Sequence, residues 1–149
     1  MAATSLPRDF REFLQSLHSR GVNYLLVGAW AVGHHGHPRA TGDMDVWVDR
    51  TPENAARLLA ALRDFGFGSP TLDERAFVTP DQVVQLGLPP LRIDILTSVT
   101  GLQFGDCRGR AVDTVIDGVP VRVLGLDDLR RNKRATGRPR DLDDLQRLG

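Results

Sequence analysis

Asp43 and Asp45 stand two residues apart in DMDVWV (43–48), where polar and apolar residues alternate. On a strand, residues i and i+2 point to the same face, so Asp43, Asp45 and Trp47 share one face and Met44, Val46 and Val48 the other. The two aspartates are then roughly 7 Å apart at Cα. Adjacent anions on a half-buried sheet repel and are costly unless a cation sits between them. A hard, oxygen-seeking cation is the natural partner, magnesium above all or manganese in its place. Asp94, in LRIDILT, lies between Ile93 and Ile95, where an unpaired carboxylate would be expensive. Three strand-borne carboxylates could hold two divalent ions and align an in-line phosphoryl displacement. Alone, the Asp-x-Asp string fits a solvated edge strand equally well.

The segment before the aspartates, AVGHHGHPRATG (31–42), carries His34, His35 and His37. Imidazole is a common zinc ligand. His34 and His35, however, diverge on a helix, Gly36 and Pro38 suggest a turn at His37, and no cysteine is nearby. These residues read as a helix end and loop in which His35 or His37 hydrogen-bonds a phosphate or stacks on a base. Arg39, permanently charged, is the better phosphate ligand. A polar surface loop is the plain alternative.

Near the C-terminus, RRNKRATGRPR (130–140) holds six cations and no acid, and Lys133 is the chain's single lysine. Ammonium and guanidinium are not interchangeable. Lys133 and Arg138 are candidates for holding a polyanion such as an RNA backbone. The alternative is a solvated basic face balanced by Asp141, Asp143 and Asp144, with Asp141 capping the last helix.

These residues need a scaffold. Phe10, Phe13, Leu14 and Leu17 follow helical spacing in LPRDFREFLQSLHSRG, and Gly21 can end that helix. VNYLLVG (22–28) reads as a buried strand and AWAVGHHG (29–36) as a short helix. In TPENAARLLAALRDFGF, Thr51 is an N-cap and Pro52 the first helical residue, with Ala55, Leu58, Leu59 and Leu62 as apolar stripe. Residues 66–81 read as an irregular connection. QVVQLGL and LRIDILT are antiparallel strands around Pro89-Pro90. AVDTVIDGVPVRVL is a hairpin turning at Asp117-Gly118. LDDLRRNKRAT and PRDLDDLQRL are helices parted by Gly137 and Pro139. The expected fold is α/β: a mixed sheet with helices packed on it and a C-terminal helical pair. Trp30 and Trp47 read as core or partly buried platforms.

With 149 residues, 41% apolar and 26% charged, the chain is expected to form a single domain, 1–149, with one core. Cys107 is the only cysteine, which excludes an internal disulfide and a cysteine zinc cluster. Neither a signal pattern nor a membrane-length apolar run is visible, so a cytoplasmic protein is expected. The formal net charge is zero, so any polyanion site must be local.

LLVGAWAVGHHGHPRATGDMDVWV resembles the signature of the nucleotidyltransferase superfamily typified by DNA polymerase beta. In that family a strand ends in glycine plus a small residue, a helix and loop follow, and a second strand carries Asp-x-Asp. Here Gly28-Ala29 precedes Asp43-Met44-Asp45, and Asp94 falls where the family's third carboxylate does. NKRATGRPRDLDDLQRL resembles the ending of the bacterial AbiEii-type, toxin-related branch. The resemblance implies transfer of a nucleoside monophosphate from an NTP to an acceptor hydroxyl. Asp43 and Asp45 would bind two magnesium ions, and Asp94 would complete the acceptor-side site and take the proton. Gly28 would let the backbone approach the triphosphate. Many members have serine or a second glycine where this chain has Ala29, which keeps only its backbone N–H. Implied acceptors are RNA ends (tRNA especially), a partner protein, or a small molecule such as an aminoglycoside; an antitoxin partner or a homodimer is also implied. The competing readings are a non-catalytic nucleotide-binding module on this fold and an RNA-binding module using 130–140.

Overall fold

The helix expected near the N-terminus forms as α1 (Arg8–Ser19), burying Phe10, Phe13, Leu14 and Leu17. In a computed structural model that describes residues 6–36, 42–67, 72–87 and 91–148, β1 (Tyr24–Val27) follows, then α2 (Gly28–His34) and β2 (Asp43–Val48). α3 (Pro52–Phe65) starts as its sequence dictates: the Thr51 side chain accepts the Asn54 N–H, and Pro52 needs no donor at the first position. It stops at Gly66, whose φ of 101° is left-handed.

Two short helices depart from the expected pattern. Within 66–81, expected to be irregular, α4 (Glu74–Val78) forms under an Asp73 cap and buries Phe77. α5 (Phe104–Arg108) was not anticipated, and it packs Phe104 edge-on against Trp47. Five residues are too few to show a periodic apolar stripe, so each helix is held by one buried anchor.

β3 (Val83–Leu86) and β4 (Arg92–Leu96) pair antiparallel, as do β5 (Val112–Ile116) and β6 (Val119–Val123) around Asp117-Gly118. α6 (Leu126–Thr136) and α7 (Pro139–Leu148) close the chain. The six strands run in the order β3-β4-β2-β1-β6-β5, with β2/β4 and β1/β6 parallel and the other neighbours antiparallel. The expected mixed sheet with packed helices is the observed architecture.

On one sheet face Met44, Val46, Val48, Ile93 and Ile95 join the core with α1 and α3. The alternate positions Asp43, Asp45, Arg92 and Asp94 therefore share the opposite face. Among the described residues no helix is long and apolar enough to cross a membrane.

Candidate active site

β2 and β4 run parallel with Asp45 beside Asp94 and Asp43 beside Arg92. Asp43 is at the exposed start of β2, whereas the Asp94 side chain is only 12% exposed. Burial, then the charges of Asp94 and Asp43, push Asp45 up to about 6. Burial also raises Asp94, against the pull of Arg92. Asp94 Oδ1 is buried and accepts no hydrogen bond among the described residues. A buried carboxylate oxygen that lacks a hydrogen bond, beside a second carboxylate, is a setting that a cation would relieve.

The cation supplied by the chain itself is Arg92. Its Nη2 lies 3.4 Å from Asp43 Oδ2 and its Nε 3.4 Å from Asp94 Oδ1, so the guanidinium spans two of the three carboxylates at long range. No three acidic, histidine or cysteine side chains converge on one metal position among the described residues. Asp45 and Asp94 adjoin, while Asp43 leans toward Arg92. In residue type and register the three carboxylates fit divalent cations. For Asp43 to join such a set, its exposed side chain would have to turn from Arg92 toward Asp45 and Asp94.

Gly28 closes the site from the β1 side. Its φ is +65°, and a Cβ there would collide with the Asp45 carboxylate, so glycine is required by both backbone and space. The backbone turns directly into α2, whose first N–H groups, Ala29 among them, have no partner within the helix.

A cleft of about 1010 Å³ opens over this face, and Gly28, Ala29, Asp43, Asp45, Lys133 and Arg138 all line it. Residues from three distant segments thus converge where the sequence placed one site. Lys133 is 6% exposed, its Nζ 3.0 Å from Asp144 Oδ2 and 3.4 Å from Asp141 Oδ1, and both carboxylates are fully buried. Arg138 makes a bidentate pair with Asp141 at 2.7 and 3.1 Å, and Thr136 Oγ1 donates to the same carboxylate at 2.6 Å. Those partners hold Asp141 well below the usual carboxylate range. Asp141 also accepts the Arg138 backbone N–H at the start of α7, the capping expected of it. Its acid–base partners make Asp141 a support behind the cleft wall.

The histidine expectations fare differently. His35 Nε2 lies 2.7 Å from the Leu124 carbonyl and donates to it, with His34 packed edge-on against the ring. This bond ties the end of α2 to the residue that follows β6. His37 and Arg39 lie outside the described residues. Trp47 is 2% exposed, a core residue as expected.

Sequence reasoning missed Arg92 and Arg140. Arg92 is two residues before Asp94, and the alternation that aligned Asp43 with Asp45 would have put it on the same face. Arg140 lines the cleft and makes no ion pair among the described residues, unlike Lys133 and Arg138.

No family model matches this chain, and no curated protein sequence matches it. Its fold is shared with solved structures. A Thermotoga maritima protein assigned as a nucleotidyltransferase superposes with a TM-score of 0.62 at 19% identity, over 94% of this chain and 89% of that one. ANT(2″)-Ia in complex with adenylyl-2″-tobramycin gives 0.58 at 15% identity, over 93% of this chain and 84% of that one. An antigenic nucleotidyltransferase-like protein from Paracoccidioides brasiliensis gives 0.54 at 16%, over 93% and 73%. The chain has the nucleotidyltransferase fold.

Proposed function

We propose that this chain is a nucleotidyltransferase that moves a nucleoside monophosphate from an NTP to an acceptor hydroxyl. The observation that carries this reading is the convergence of Gly28, Asp43, Asp45 and Lys133 on one cleft beside Asp94. Divalent cations bound by Asp43 and Asp45, magnesium or manganese, would neutralise the triphosphate, with Asp94 completing the acceptor-side site. The acceptor oxygen attacks the α-phosphorus, the bond from that phosphorus to the bridging oxygen of the β-phosphate breaks, and pyrophosphate leaves. Asp94 takes the proton of the attacking hydroxyl. Gly28 admits the triphosphate to the backbone, Ala29 offers its N–H, and Lys133, Arg138 and Arg140 flank the leaving group. Positioning and charge stabilisation supply the rate.

The tail supports an AbiEii-like assignment, because Lys133, Asp141 and Asp144 form one buried ion cluster. On that assignment the protein acts in the cytoplasm, on an RNA end such as that of tRNA or on a protein, and an antitoxin or a second copy of the chain is its partner. The neighbour solved with adenylyl-2″-tobramycin keeps an aminoglycoside acceptor as the small-molecule alternative. A non-catalytic nucleotide-binding module is the second reading, favoured by the orientation of Asp43 toward Arg92.

The test is incubation with each α-labelled NTP, magnesium and total RNA or cell lysate, beside an Asp43→Asn control. Label transferred by the wild type alone supports transfer. Magnesium-dependent NTP binding without any labelled product selects the module.

A further inference from the structure

Gly28 directly follows β1, Asp43 and Asp45 are on β2, Asp94 on β4 and Gln85 on β3, and the strands neighbour one another in that order. With strands about 4.8 Å apart, this line of residues spans roughly 14 Å across the sheet. In the reading proposed above, on which this inference rests, the triphosphate lies against Gly28. An in-line displacement requires the attacking oxygen opposite the leaving group, so the acceptor must enter from the β3 end, past Asp94.

Two side chains flank Asp94 on that part of the sheet face. Gln85 is the cross-strand partner of Asp94, so the two side chains are neighbours on one face. Gln85 is exposed, and its carboxamide makes no hydrogen bond among the described residues. Beyond it β3 is the sheet edge, and Val83, 58% exposed, lines the cleft there. Arg92 is one pleat from Asp94 on the same face, a third exposed at its side chain and held only at 3.4 Å. Once the carboxylates are committed to divalent cations, its guanidinium is a positive charge left beside Asp94 for the acceptor.

We propose that Gln85 and Arg92 form the acceptor subsite: Gln85 orients the sugar that carries the attacking hydroxyl, and Arg92 holds a phosphodiester beside it. An amide next to a guanidinium favours a nucleic-acid chain end over a polycationic acceptor, which Arg92 repels.

The experiment measures anisotropy of a short fluorescein-labelled single-stranded RNA with a free 3′ hydroxyl, with magnesium and a non-hydrolysable ATP analogue present. Analogue affinity is titrated separately for each variant, with melting curves alongside. Gln85→Ala is expected to weaken RNA binding about fivefold to tenfold, the worth of one or two hydrogen bonds, at unchanged analogue affinity and melting temperature. Arg92→Gln is expected to lower the salt dependence of RNA binding by about one phosphate contact. A Gln85→Ala protein that binds RNA as the wild type does, or an Arg92→Gln protein with the full salt slope, overturns the subsite alone. A wild type that binds tobramycin and not RNA also overturns it. A wild type that binds no analogue overturns the nucleotidyltransferase reading, and the subsite with it.

Discussion

Gly28 is packed so closely on Asp45 that a single methyl group on its Cα would collide with the carboxylate. The contact makes the end of β1 a mould for the acid on β2. Gly28→Ala meets two penalties: the left-handed φ of +65°, at roughly 1–2 kcal/mol, and displacement of Asp45. We expect a modest loss in denaturant stability but loss of most magnesium-dependent NTP binding, measured by calorimetric titration. A variant that keeps wild-type affinity would show that Asp45 need not hold its place.

Asp45 gives a prediction with an unusual sign. Its folded-state value, about 6, lies above the ordinary carboxylate value, so the folded protein holds a proton that the unfolded chain releases. Without metal, its contribution to stability is therefore lost as pH rises from about 4 through 6. In chelator at neutral pH, Asp45→Asn should be more stable than wild type by about 1–3 kcal/mol, the gap closing toward pH 4. Added magnesium should stabilise the wild type and leave the variant unchanged. Urea unfolding at several pH values reads both effects, and a destabilised variant would contradict the assignment.

How far the sequence revealed this site depended on the range of the interaction. The shared face of Asp43 and Asp45 follows from local alternation, and the β2/β4 register brings Asp94 beside them. Thr51-Pro52 and Asp117-Gly118 are likewise local, and α3 and the last hairpin begin and turn there. The bond from His35 to Leu124 spans 89 residues, and no pattern around the histidines indicates it. Lys133 was legible as an unusual cation, whereas its burial against Asp141 and Asp144 depends on α6 folding back on α7. Arg92 was equally legible, because it stands two residues before Asp94 and strand alternation puts it on the face of the acids.

The Lys133 cluster should behave as structure first. Asp141 is fully buried and its carboxyl is held well below the ordinary range, chiefly by the Arg138 hydrogen bonds. A depressed value adds stability that is complete above about pH 4 and disappears as pH falls through the folded-state value. Asp141→Asn leaves two cations short of a partner and should cost about 3–5 kcal/mol at pH 7. The difference from wild type should shrink progressively below about pH 4. Equal acid sensitivity in both proteins would remove Asp141 from the network.

Asn54 tests whether the site's precision depends on the far end of its strands. It is 1% exposed, accepts the Asn23 N–H at 2.7 Å, and donates to the Asn23 and Asp49 carbonyls at 3.0 and 2.9 Å. One side chain thus joins the entry of β1 to the exit of β2, at the end away from Gly28 and Asp45. Asn54→Leu strands the Asn23 N–H and the Asp49 carbonyl, while the Asn23 carbonyl keeps the Asp49 N–H, and should cost about 2–4 kcal/mol, since each unsatisfied buried group costs about 1–3 kcal/mol. The strands themselves remain paired from Tyr24–Val48 to Val27–Asp45, so the folded fraction should bind NTP with unchanged affinity. Urea melts paired with nucleotide titration at low temperature separate the two effects. If affinity falls along with stability, the Asn54 clamp sets the active-site register as well as the fold.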